Sequence, residues 1–200
     1  MPQLPSQITF GCESGWFQDA EIIRSPNFDE RPPGCAIDLL VIHAISLPPG
    51  EFGGGKIDEL FLNRLDPGAH PYFRSIDGLR VSSHFLIERA GLLKQFVSTA
   101  FRAWHCGLSS FDGRSACNDF AIGIELEGCD EEPFTPHQYS ILGHLLAHLM
   151  GRHPLITIDR IVGHSDIAPE RKTDPGPKFD WDRLRSDLAV RVESGRLNNP

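Results

Sequence analysis

FAIGIELE, residues 120–127, has the alternation of an extended strand. Successive side chains of a strand leave opposite faces, so Ile122, Ile124 and Leu126 point one way and Gly123, Glu125 and Glu127 the other. Three more short runs rich in branched and aromatic residues read the same way: IDLLVIH at 37–43, VSSHFLIE at 81–88 and LLKQFVS at 92–98. The clearest helical signal spans 136–150. Thr135 is placed to cap it, Pro136 suits its first turn, and Gln138 completes a capping box. Tyr139, Leu142, Leu145, Leu146 and Leu149 share one face, and Gly151 with Pro154 marks the end. A second helix is expected after Asp180, with Trp181, Leu184, Leu188 and Val192 at core spacing. A shorter one, 56–65, lies between the Gly53-Gly54-Gly55 run and the Asp66-Pro67-Gly68 turn. Strands mixed with helices predict one α/β domain around a single sheet.

Bulk composition narrows the function. Two hundred residues at 40% hydrophobic content suit one domain with a sizeable core. No apolar run is long enough to span a membrane, and MPQLPSQITFGCESGW at the N-terminus does not read as a secretory signal. The net charge of -8, from 19 basic and 27 acidic residues, argues against a general nucleic-acid binder. It leaves room for a local anion site, and Arg80, Arg102, Arg114 and Arg171 are compatible with a small anionic substrate. The five cysteines (Cys12, Cys35, Cys106, Cys117, Cys129) form no CxxC pair, so reduced thiols in a cytoplasm are expected.

The chemistry concentrates in GHSDIAPERKTDPGP, residues 163–177. This segment is too rich in turn-formers to be expected as a helix, and it carries His164, Lys172 and Asp174. Imidazole and carboxylate suit zinc, and an ammonium beside them can stabilise an anion. Pro175 biases Asp174 toward an extended backbone. His43 closes the run IDLLVIH and opens a Pro- and Gly-containing loop, a place where a strand fixes a ligand and a loop leaves it accessible. Two histidines and one carboxylate would leave a fourth tetrahedral position open, as in catalytic zinc sites.

Other histidines compete. His144 and His148 are spaced i, i+4, but Leu145 stands where the metalloprotease motif needs glutamate. With His137 they are expected on the solvated face of their helix. His84 and His105 fit either a substrate-contacting or a supporting role, and periodicity does not decide between them. A base is also needed, and Glu125, deeper in its strand than Glu127, is the better placed; the alternative is that both glutamates line a solvated sheet face. The 53–65 segment is either a mobile flap or an ordinary surface insertion.

The segments VIHAISLPPGEFGG, RAWHCG, CNDFAIGIELEG and GHSDIAPERKTDPGPKFDW together resemble the zinc N-acetylmuramoyl-L-alanine amidases, a family related to a phage lysozyme and to peptidoglycan recognition proteins. The resemblance covers about residues 15–188 and implies a central mixed sheet flanked by helices. It also implies zinc on His43, His164 and Asp174, a catalytic Glu125, an oxyanion-stabilising Lys172, and substrate contacts from Trp104 and Arg80. His105 is a further candidate contact. Ala44 departs from the family, which commonly has Asn directly after the first zinc histidine, so one polar contact is expected to be missing. The implied reaction is hydrolysis of the amide between the lactyl group of 1,6-anhydro-N-acetylmuramic acid and L-alanine. Its implied setting is cytoplasmic cell-wall recycling with a link to β-lactamase regulation. A monomer without nucleic-acid or membrane partners is expected. The alternatives are a periplasmic amidase acting on polymeric peptidoglycan and a non-catalytic recognition module.

Overall fold

Leu39–Ile45 and Ala121–Glu127 pair in parallel along all seven residues and form the centre of the fold. The computed structural model describes the backbone of residues 12–197 and the side chains of 14–191. Its main sheet has six strands: β1 (Glu21–Ile22), β2 (Leu39–Ile45), β3 (Phe85–Ile87), β4 (Leu93–Gln95), β5 (Ala121–Glu127) and β6 (Ile161–Gly163). Their spatial order is β6-β2-β5-β3-β4-β1. Strands β6, β2, β5 and β3 run parallel, β4 is antiparallel to β3, and β1 is parallel to β4. The sheet is therefore mixed, as expected.

Parallel strands need cover on both faces, and every residue of β5 is buried. One face carries Leu40, Ile42, Ile122, Ile124 and Leu126. It shares a core with Leu142, Leu145, Leu146 and Leu149 of α3 (Pro136–Arg152) and with Leu184 and Leu188 of α5 (Trp181–Leu197). On the other face Leu39 and Val41 pack with Cys106, Cys117 and Phe120 of a long loop. Beside them Leu86 packs with Ile57, Leu60, Phe61 and Phe73 from α1 (Lys56–Phe61) and α2 (Pro71–Ser75).

The capping box of α3 is present: Thr135 Oγ1 accepts from the Gln138 amide (3.2 Å), and Gln138 Oε1 accepts from the Thr135 amide (3.0 Å). The helix runs past 150 to Arg152, because a glycine weakens a helix without breaking it. It stops where Pro154 drives His153 out of the helical region (φ -123°, ψ 81°). Val192, expected on the core face of α5, lies outside the described side chains, as does Cys12. Cys35, Cys106, Cys117 and Cys129 are free thiols.

Several sequence boundaries need correction. Strand β2 begins at Leu39 instead of 37: the Asp38 carbonyl accepts from the Arg160 side chain (2.6 Å) in place of a strand partner. The run 81–88 shrinks to Phe85–Ile87. Ser82 donates to the Asn27 carbonyl, and His84 Nδ1 accepts from the Gly123 amide, so these side chains tie this segment to a loop and to β5. The run 92–98 shrinks to Leu93–Gln95. Helix 56–65 ends at Phe61, with Asn63 in the left-handed region (φ 57°). Helix α2, not anticipated, starts at Pro71 with His70 as its cap. His144 and His148 are half-buried, not freely solvated: Arg191 of α5 lies 2.8 Å from His144 Nε2, and the Phe17 ring sits edge-on against His148. His137 is exposed, as expected.

Thr135 Oγ1 also donates to the Arg89 carbonyl (2.8 Å). Thr135→Ala is therefore expected to cost about 1–2 kcal/mol in denaturant unfolding. A change below a few tenths would contradict the capping assignment.

Candidate active site

The parallel register places the chemistry. His43 and Glu125 are direct partners across β2 and β5, and Leu86 flanks Glu125 from β3. Gly163 pairs with Ile42, so His164 follows at the same end of the sheet. Carboxyl ends of parallel strands are where ligands bind in such sheets. A cavity of about 490 Å³ opens there, lined by His43, Trp104, Glu125, His164, Lys172 and Asp174 among others.

The segment 163–177 is expected to be free of helix, yet His164–Ile167 forms a single helical turn, α4. The Asp166 carboxylate accepts from the Gly163 amide (2.7 Å) and stabilises its start. The return leg brings Asp174 back, and its carbonyl accepts from the Ser165 amide (2.9 Å).

Three donor atoms converge. His43 Nδ1 lies 3.0 Å from His164 Nδ1 and 3.2 Å from Asp174 Oδ2, and His164 Nδ1 lies 3.1 Å from that same oxygen. A tetrahedral ion with ligands at 2.0–2.1 Å needs edges of roughly 3.3 Å, so the triangle fits zinc with little adjustment. Burial pulls the His43 imidazole down to about 4 despite the nearby Asp174 carboxylate. Burial pushes Asp174 up, but hydrogen bonds with His164 and His43 outweigh it and hold the carboxyl far below its usual range. A neutral His43 imidazole beside an ionised Asp174 carboxylate gives the protonation states a cation requires of those two ligands.

A second donor group, His43, His105 and Cys106, lies adjacent. Burial pushes the Cys106 thiol well above its ordinary value, so an ion there would have to displace a tightly held proton. His43 Nε2 and His105 Nδ1 stand at hydrogen-bond distance, 2.9 Å.

The two glutamates of β5 have separate jobs. Both are buried, at 7% and 4% exposure, so the solvated-face alternative does not hold. Among the described residues Glu125 Oε2 has no hydrogen-bond partner. Burial first, then the Asp174 charge, push its carboxyl well above the ordinary range, with Lys172 opposing. Glu127 instead spends both oxygens on backbone amides, those of Gly53 (2.5 Å) and Arg89 (3.1 Å). It thereby ties down the 53–65 segment, which Lys94 also holds through Asp58 (2.7 Å). Gly53, Gly54 and Gly55 all take positive φ (79°, 72°, 70°), which explains the glycine run.

The remaining candidates divide. Trp104, His105 and Ala44 line the cavity, and Ala44 offers it no side-chain donor. Arg80 lines a neighbouring pocket of about 210 Å³ instead. Of the other arginines, Arg102 pairs with Asp29 and Asp119, and Arg114 with Asp38. Arg171 lines the cavity and holds the Cys106 and Leu108 carbonyls (2.6 and 2.7 Å). Sequence reading missed Gly123. A glycine inside an apolar strand signals close approach of another group, and a Cβ there would meet the His105 ring at 2.5 Å.

Known proteins are similar to this chain in sequence and in fold. The profile of a family described as N-acetylmuramoyl-L-alanine amidase matches residues 33–177. The chain is 56% identical over 176 residues to the 1,6-anhydro-N-acetylmuramyl-L-alanine amidase AmpD of Haemophilus influenzae, covering 88% of this chain and 96% of that one. A crystal structure of a selenomethionine AmpD derivative superposes with a TM-score of 0.86 at 52% identity, covering 88% of this chain and 98% of that one. The Escherichia coli amidase AmiD, solved with the substrate anhydro-N-acetylmuramic acid-L-Ala-D-γ-Glu-L-Lys, gives a TM-score of 0.58 at 30% identity, over 79% and 60% of the two chains.

The contrast between the glutamates is testable by unfolding the metal-free protein. Glu127→Gln strands one backbone amide and should lose about 1–3 kcal/mol. Glu125→Gln should gain stability at pH 7, because an acid whose folded pKa is raised is penalised once pH exceeds its unfolded value, 4.5. That gain should fade below pH 4.5. Equal losses in both variants would contradict the assignment.

Proposed function

The chain belongs to the N-acetylmuramoyl-L-alanine amidase family, and from that premise we propose that it is a zinc enzyme of cytoplasmic cell-wall recycling. It hydrolyses the amide between the lactyl group of 1,6-anhydro-N-acetylmuramic acid and L-alanine in muropeptides. The observation that carries the mechanism is the triangle of His43, His164 and Asp174 donors beside the unpartnered carboxylate of Glu125. Bound there, zinc would polarise the amide carbonyl and acidify water at its open position.

The chain's own groups supply the rest. Glu125 takes the proton of the attacking water, and its raised affinity for that proton lets it hold the proton until the leaving nitrogen needs it. Hydrophobic neighbours such as Leu86 keep solvent from short-circuiting the transfer. Lys172, at the cavity wall, brings its ammonium to the oxygen that becomes negative. Trp104 offers an aromatic surface to the cavity, and its side chain also hydrogen-bonds the Asp29 carboxylate. Ala44, which packs against the helix-side core at the cavity edge, contributes no polar side chain to the cleft.

Of the rival readings, a recognition module would not need the metal triangle together with Glu125 and Lys172, all of which face one cavity. No helix among the described residues is long and apolar enough to cross a membrane. The free anhydro-muropeptide is favoured over polymeric peptidoglycan by the similarity to anhydro-muramyl amidases over almost their whole length.

Lys172→Ala should keep its zinc, measured by elemental analysis, while turnover falls about 100- to 1,000-fold. Near wild-type turnover would overturn the oxyanion role. Chelated protein should lose activity and regain it with zinc; activity surviving complete zinc removal would exclude the metal mechanism. Free anhydro-muropeptide should be cleaved much faster than intact sacculi, and the reverse preference would favour the periplasmic reading.

A further inference from the structure

His43 Nδ1 faces His164 Nδ1 and Asp174 Oδ2. If that nitrogen gives its lone pair to a metal, the neutral ring must carry its proton on Nε2. His43 is only 1% exposed, so this N–H needs a protein acceptor. The acceptor in reach is His105 Nδ1, at 2.9 Å, with the two rings nearly perpendicular (89°). The Cys106 thiol lies 3.1 Å from the same nitrogen but is a weak donor.

We infer that His105 is a positioning residue: it accepts the His43 Nε2–H, so fixing the tautomer and ring plane that present Nδ1 to the metal, and Gly123 is the space that admits it. This rests on the metal reading above. Two observations support it besides the distance. A Cβ on Gly123 would lie 2.5 Å from the His105 ring, so the central strand is cut away for this one side chain. The backbone that carries His105 is also fixed, since Asn118 Oδ1 accepts from the amides of His105 (3.1 Å) and Cys106 (2.8 Å). The next residue completes the device. His164 Nε2–H donates to the Cys106 carbonyl (3.1 Å), so two consecutive residues orient both metal imidazoles. Such supporting partners raise ligand basicity and hold ring orientation.

Zinc affinity, measured by competition with a chromophoric chelator, tests the inference without relying on activity. His105→Leu keeps bulk but removes the acceptor, and should weaken zinc about 10- to 100-fold. His105→Asn puts an amide oxygen near the place of Nδ1 and should restore affinity to within a few-fold of wild type. Gly123→Ala, which displaces the ring without touching its chemistry, should weaken zinc like His105→Leu. Thermal melts of the metal-free variants identify any that fail to fold, and the Asn variant still decides the matter if Leu does not fold: affinity lost by a folded Asn variant would overturn the inference. Equal zinc affinity in wild type and His105→Leu would overturn it alone. A wild-type protein with no zinc affinity would overturn the metal reading and the inference together.

Discussion

The parallel pairing of β2 with β5 is the constraint from which the site follows. Seven consecutive partners align the strands, and a slip of one residue would turn His43 and Glu125 toward the helical layer. The register is enforced from the other side. Leu40, Ile42, Ile122, Ile124 and Leu126 must all reach the core beneath α3 and α5, which leaves His43, Gly123 and Glu125 on the cavity face. The hydrophobic effect on one face thus sets the chemistry of the other. Burying five such side chains, at about 1.5–3 kcal/mol each, offsets the cost of holding one carboxyl group in apolar surroundings, a cost limited by the ease with which that group takes up a proton.

That cost is also the source of function. Glu125 is buried with an unpartnered oxygen, while Glu127, two residues on, has both oxygens occupied by backbone amides. The same side chain on the same strand face therefore serves once as an anchor and once, in the proposed mechanism, as a proton carrier. The difference lies in what surrounds each carboxylate.

Much of this could be read from the chain. The alternation in 120–127 gave the central strand and the facing of both glutamates, and Thr135, Pro136 and Gln138 gave the start of α3. His43, His164 and Asp174 were legible because each ends an element or sits in a constrained turn, and the structure brings the three together. Strand ends were less legible. Ser82, Ser83 and His84 alternate acceptably for a strand, yet the side chains of Ser82 and His84 bond the distant backbones of Asn27 and Gly123, and periodicity does not record such long-range partners. The role of Glu127 depends on an amide 74 residues away, and the half-burial of His144 on an arginine of another helix. The single helical turn at His164 was hidden by the turn-forming composition around it.

The central claim is that one cation is held by His43, His164 and Asp174, and not by the neighbouring group that contains Cys106. Zinc-edge X-ray absorption of the purified, zinc-loaded protein addresses it directly. The account predicts only nitrogen and oxygen scatterers at about 2.0–2.2 Å, with imidazole features from two rings. A sulfur shell at about 2.3 Å would place the ion on the cysteine side and contradict it.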